Sequence, residues 1–193
     1  MNLSELGIKA RAASVLLAKM NVETKNKALI ACAEALVKES NSILEANAKD
    51  VLIGREKGMN EGLVDRLMLT EERIKGIAEG LEQVAALDDP VGEVLDMKKR
   101  PNGLLIGKKR VPLGVVGMIY EARPNVTPDA FALCFKSGNA VILRGGSDAI
   151  NSNIAIVKVL QDTLKACGIT EDAVQLIEDT SHEVGTEFMK MNG

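Results

Sequence analysis

Along the first 88 residues apolar positions recur with a helical period. The clearest stretch is "TEERIKGIAEGLEQVAAL", where Ile74, Ile77, Ala78, Leu81, Val84 and Ala85 keep the i, i+3, i+4, i+7 spacing of one buried face. Thr70 stands ahead of them as a helix cap, and Glu71 and Glu72 occupy the first turn, where the helix dipole favours negative charge. Ser42 with Glu45 has the spacing of a capping box opening "ILEANAKDVLIGREKG", and Gly58 supplies its stop. Runs such as "KNK" and "GREKG" read as solvated faces. Residues 1–88 are therefore expected to form a layer of helices.

The texture changes at Pro90 and Gly92. Short β-like runs follow on either side of Asn102-Gly103, a pair suited to the two positive-φ positions of a type I′ turn. A hairpin over residues 93–111 is expected. Being long, basic and unstable alone, it would pair with another sheet or another subunit, unless it is only a surface loop. From Gly114 onward, continuous apolar runs ("GVVGMIY", "AVILR", "AVQLIE") alternate with amphipathic stretches ("TPDAFALCFKSG", "INSNIAIVKVLQDTLKACG", "SHEVGTEFMKMNG"). That alternation predicts an α/β fold, a parallel sheet covered by helices over residues 114–193. Three strands are visible and a fourth would follow the last helix, so the sheet reads as incomplete.

Composition narrows the function. Aromatic residues are 2 % of the 193 and the formal charge is −3, which argues against a nucleic-acid surface. The N-terminus has charges throughout and reads as neither secretory signal nor membrane span. Cys32, Cys134 and Cys167 are widely spaced and odd in number, the pattern of reduced thiols in a cytoplasmic chain. All three read as core residues rather than nucleophiles. His182 is the only histidine, which excludes a histidine-based triad or a His-rich metal site, and it falls in a capped helix start over Thr180 to Glu183. Asp88 and Asp89 read as a turn.

Chemistry concentrates where the strands end. In an open α/β sheet ligands sit beyond the carboxyl ends of the strands, which places "EARPNVTPD" and "RGGSDA" at that edge. Arg144 offers five donors, Gly145 and Gly146 let backbone approach a ligand, and the helix start from Ser147 to Asn151 offers free N–H groups. This is either a small phosphate or ribose site or a tight turn with a solvated arginine. No G-x-G-x-x-G follows any strand, and "GLLIGKKR" lacks the spacing of a P-loop.

The stretch "VPLGVVGMIYEARPNVTPDAFALCFKSGNAVILRGGSDA", with "LVDRLMLTEERI" and the "RPNG" turn, resembles the gamma-glutamyl phosphate reductase family of the aldehyde dehydrogenase superfamily. The resemblance runs along the whole chain and corresponds to the N-terminal part of the family's enzymes. It implies NADPH-dependent reduction of L-glutamyl 5-phosphate to L-glutamate 5-semialdehyde with release of phosphate, in proline biosynthesis, and a Rossmann-like sheet of the aldehyde dehydrogenase type. It also implies a cofactor cleft lined by Ile119, Tyr120, Arg144, Gly145, Gly146 and Ser147. Asn125, at a two-residue offset from the superfamily asparagine, is implied as oxyanion donor. The hairpin would serve as an arm for homo-oligomerisation. The family's nucleophilic cysteine matches none of the three here, so the chain alone is expected to be inactive. A non-catalytic nucleotide-binding or oligomerisation module is the alternative, and a reductase of another acyl phosphate a third reading.

Overall fold

The structure is a computed structural model and describes residues 2–121 and 123–191. Five helices come first: α1 (Leu3–Leu17), α2 (Val22–Lys38), α3 (Ser40–Glu56), α4 (Glu61–Leu67) and α5 (Glu71–Ala86). The strands β1 (Val94–Lys99) and β2 (Leu105–Lys109) form the hairpin. The remainder runs β3 (Val115–Ile119), α6 (Val126–Lys136), β4 (Ala140–Arg144), α7 (Ile150–Ala166), β5 (Val174–Leu176) and α8 (His182–Met189). This is the α/β architecture expected from the sequence.

β3, β4 and β5 pair in parallel in that order, with β4 buried in the centre. Register places Gly117, Ile142 and Gln175 side by side on one face. That face carries α1, whose Leu6 carbonyl accepts from Gln175 Nε2 at 3.2 Å, and α8, whose Phe188 ring lies against Gly117. A Cβ on Gly117 would come within 2.8 Å of that ring, so the glycine is a packing requirement. α6 and α7 pack against β4 and β5, and α2, α3 and α5 form a further layer over them. The core accordingly rests on aliphatic side chains, with the Phe131 and Phe135 rings 5.3 Å apart and tilted by 35°.

Thr70 caps α5 as expected, accepting from Arg73 N at 3.1 Å, and Gly58 ends α3 with φ +76°. Ser42 does not cap α3: the helix starts two residues earlier, and its hydroxyl donates back to the Glu39 carbonyl at 2.8 Å. The last helix starts inside the expected capped stretch Thr180 to Glu183, with Ser181 as its cap. The hairpin turn is not type I′, because no described non-glycine residue has positive φ. Pro101 fixes its own φ near −65°, so a turn closed by Gly103 N–H to the Arg100 carbonyl at 2.9 Å precedes a left-handed Gly103 at φ +87°. Within the described residues the hairpin pairs with no further strand, and Leu95, Met97, Leu105 and Ile106 stand exposed on it.

Two buried lysines lock the layers together. Lys25 Nζ donates to the Lys136 carbonyl at 3.0 Å, capping α6, and ion-pairs with Asp89. Lys136 Nζ donates to the Ala85 carbonyl at 2.8 Å, capping α5, and to Asn26 Oδ1 at 2.6 Å. Asp89 is thus more than a turn residue. Burial holds the Lys136 ammonium below its ordinary pKa, an effect the Asp89 carboxylate opposes.

Candidate functional site

The carboxyl edge of the sheet is built mostly to satisfy itself. Ile119 ends edge strand β3 and is half exposed, whereas Tyr120 turns inward. The Tyr120 hydroxyl lies 2.7 Å from Thr127 Oγ1, and Thr127 Oγ1 lies 2.8 Å from Asn153 Oδ1, a chain of three polar groups. Burial pushes the phenol above its ordinary pKa, and the Thr127 bond partly opposes that.

Arg144 reaches across the edge rather than into solvent. Its Nη2 donates to the carbonyls of Thr180 (3.0 Å) and Ser181 (2.8 Å), and its guanidinium lies against Gly185, where a Cβ would come within 2.9 Å of Cζ. Nε is buried without an acceptor, as is Asn153 Nδ2. Gly145 meets that same amide: a Cβ there would sit 2.2 Å from Asn153 Nδ2. The glycine therefore makes room for a neighbouring side chain, and neither Gly145 nor Gly146 has positive φ. Ser147 is exposed at the start of a short 3-10 turn, Ser147–Ala149.

The helix start beyond that turn is already occupied. Asp50, buried on α3, accepts from the N–H groups of Asn151 (3.2 Å) and Ser152 (2.8 Å), from Asn151 Nδ2 (2.7 Å) and from Ser152 Oγ (2.6 Å). Asn47, one helical turn earlier, donates to Ser152 Oγ at 3.0 Å and to the Leu67 carbonyl at 2.8 Å, and accepts from Leu69 N at 2.7 Å. The anion at the N-terminus of α7 is thus a carboxylate of the chain itself. Sequence reading saw free N–H groups there because Asp50 lies 101 residues away from Asn151. Of the predicted cleft residues only Gly145 is buried; Ile119 and Ser147 are exposed, and Tyr120, Arg144 and Gly146 are half-buried.

Asn125 lies elsewhere, in a separate polar hollow of about 470 Å³. It precedes α6 in helical conformation and makes no side-chain capping bond, which leaves its carboxamide turned to other uses. Arg123 from the same loop, Arg66 from α4 and Arg73 and Gly76 from α5 line this hollow with Asp129. Arg73 is held by Asp65 Oδ1 at 2.9 Å and the Met68 carbonyl at 2.7 Å. Burial raises the pKa of the Asp129 carboxyl. Sequence reading places "EARPN" at the ligand edge but does not join Arg123 to Arg66 and Arg73, because Arg123 lies 57 residues beyond Arg66. A larger, more apolar hollow of about 630 Å³ lies between α1, β3 and α8, lined by Ile8, Val115, Ile119 and Met189 among others.

No thiol of this chain lies in either hollow. Cys32 and Cys134 are buried, and burial pushes their thiols up to about 12 and about 11. Cys167 was expected in the core but is exposed, because α7 ends there and Gly168 turns the chain away. His182 is exposed in the first turn of α8. Among the described residues no three metal-ligating side chains cluster, and no helix is long and apolar enough to cross a membrane.

No family model matches the chain. It is 58 % identical over 185 residues to the gamma-glutamyl phosphate reductase of Caldanaerobacter subterraneus subsp. tengcongensis, a match covering 96 % of this chain and 45 % of the relative. The crystal structure of gamma-glutamyl phosphate reductase from Thermotoga maritima superimposes with a TM-score of 0.96 at 45 % identity, covering 99 % of this chain and 46 % of that one. A probable aldehyde dehydrogenase from Listeria monocytogenes shares the fold at 15 % identity, with a TM-score of 0.75 over 98 % of this chain and 39 % of its own. The chain spans about half the length of the curated relatives it matches.

Proposed function

We propose that this chain, a homologue of gamma-glutamyl phosphate reductases over nearly its whole length and aldehyde dehydrogenase-like in fold, forms the coenzyme-side half of such a reductase. The reaction is the reduction of L-glutamyl 5-phosphate to L-glutamate 5-semialdehyde in proline biosynthesis. The observation that carries the reading is 58 % identity sustained across 96 % of the chain. In the reaction a thiolate displaces phosphate from the acyl phosphate, and hydride delivered to the resulting thioester releases the aldehyde and regenerates the thiolate. NADPH would supply that hydride.

The residues here would bind and orient. Ile119 and Tyr120 at the end of β3 and the turn from Arg144 to Ser147 would line the coenzyme cleft. Arg144 would act by holding that turn, since its Nη2 is engaged by Thr180 and Ser181. The coenzyme's phosphates would lie away from the α7 N-terminus, which Asp50 fills. Asn125 would donate its carboxamide to the oxyanion. The nucleophile would come from outside these residues, because two of the three thiols are buried in the core and Cys167 lies at the far end of α7. The hairpin, with its exposed apolar residues, would pair with a second copy of the chain.

Two measurements test this. The chain should bind NADPH in calorimetry, and Arg144→Ala should weaken that binding. It should be inactive alone in phosphate-dependent NADPH formation from L-glutamate 5-semialdehyde. It should gain activity when mixed with a polypeptide carrying the unmatched remainder of a relative. A folded chain that binds no coenzyme, alone or mixed, refutes the reading. Coenzyme binding with no activity in the mixture favours a non-catalytic module.

A further inference from the structure

The hollow beside Asn125 gathers charges that the fold itself does not use. Arg73 is committed to Asp65 and the Met68 carbonyl. Among the described residues, Arg66 and Arg123 form no ion pair with a carboxylate, and neither does Asp129 with a cation. Two guanidinium groups and one carboxylate thus face a common space of about 470 Å³, within the ordinary range for a small-molecule site.

Gly76 adds an independent observation. It sits in the interior of α5, where glycine weakens a helix relative to alanine. Yet a Cβ there would meet nothing within 4 Å, and its φ is not positive. Neither packing nor backbone conformation calls for glycine at this position. It lines the hollow, and what its missing side chain leaves is room inside it.

We propose that this hollow is the seat of the acyl phosphate substrate, with Arg66, Arg123 and Asp129 as its specificity-determining residues. This rests on the reductase reading above. L-Glutamyl 5-phosphate carries two anionic groups and one ammonium, the complement of the two guanidinium groups and one carboxylate. Arg123, two residues from Asn125, takes the phosphoryl group at the reacting end. Arg66, from the α4 side, takes the α-carboxylate, and its planar fork suits that group bidentately. Asp129, whose burial disfavours an uncompensated charge, takes the ammonium.

The test is calorimetric binding to the 193-residue chain of a non-hydrolysable phosphonate analogue of L-glutamyl 5-phosphate, its des-amino counterpart and L-glutamate. The wild-type chain should bind the analogue best. Arg66→Ala and Arg123→Ala should each weaken the analogue at least tenfold, and Arg123→Ala should also erase its advantage over L-glutamate. Asp129→Asn should abolish the preference for the amino-bearing analogue while leaving the des-amino ligand unchanged. Gly76→Ala should raise the melting temperature yet weaken the analogue severalfold, an outcome that loss of folding cannot mimic. Wild-type affinity in both arginine variants, or no analogue binding by the folded wild-type chain, overturns the assignment. Neither result touches the reductase reading, which is judged by coenzyme binding and reconstituted activity. If those fail while arginine-dependent analogue binding holds, the pocket stands and the reaction does not.

Discussion

Replacing Asp50 by alanine removes one carboxylate that accepts four hydrogen bonds at the start of α7. Two of the four donors, Ser152 N–H and Ser152 Oγ, belong to a fully buried residue and cannot turn to water instead. A buried donor left without a partner costs about 1–3 kcal/mol, so the pair loses roughly 2–6 kcal/mol. Relief of the cost of burying a carboxylate offsets part of this, leaving a loss of about 3–4 kcal/mol, above the usual cap value of about 0.5–2 kcal/mol. For a chain of this size each kcal/mol shifts the melting temperature by about 2–4 °C, so a fall of roughly 10 °C is expected in a thermal melt. Asp50→Asn should be nearly as costly, since its amide presents N–H groups to a site that contains donors. A second arm tests whether the carboxylate is what closes the helix start to other anions. Added sulfate should restore part of the lost stability in Asp50→Ala and have little effect on the wild-type chain. A loss below about 1 kcal/mol, with no differential response to sulfate, refutes the claim that Asp50 serves as the anion of α7.

Gly145→Ala should destabilise the chain by about 1–3 kcal/mol through overpacking on Asn153, and Asn153→Ala in the same chain should recover much of that loss, read by urea denaturation of the double-mutant cycle. Lys25→Ala should cost about 3–5 kcal/mol because it strands the Asp89 carboxylate and uncaps α6, measured in the same way. A native chain should react rapidly with a thiol reagent at Cys167 alone, with Cys32 and Cys134 reacting only on unfolding. Those buried thiols are held neutral up to about 12 and about 11, above their unfolded value of 9.0. The unfolded chain therefore releases these protons first as pH rises. Their contribution to stability is complete below about pH 9 and declines above it, by up to about 1.4 kcal/mol per pH unit per thiol until each folded value is passed. Urea midpoints measured from pH 8 to pH 11 should fall less steeply in Cys32→Ala than in the wild-type chain.

The parallel strands and the helix alternation could be read from the sequence because those features are periodic and local. A buried strand such as "AVILR" and the stripe from Ile74 to Ala85 carry their burial in the order of their side chains. Caps written in neighbouring residues were equally open to reading, as Thr70 shows. The hairpin was legible as a hairpin, but its turn type was decided by Pro101, one residue before the Asn-Gly signal. The resemblance carried by "YEARPNVTPDA" and "GNAVILRGGSDA" points to the same reductases that the chain matches along its length.

What the sequence determined by itself was therefore whatever depends on residues within a few turns of one another: periodicity, local caps, strand character and the family likeness of contiguous motifs. The tertiary structure alone decided who occupies each site. It placed Asp50 on the helix start that the sequence leaves open to a phosphate, and it spent Gly145 on the Asn153 amide and Arg144 on the carbonyls of Thr180 and Ser181. It also brought Arg66 and Asp129, 63 residues apart in the chain, to one hollow. The physical reason is that a hydrogen bond or an ion pair depends on distance in space, whereas the sequence records only distance along the chain.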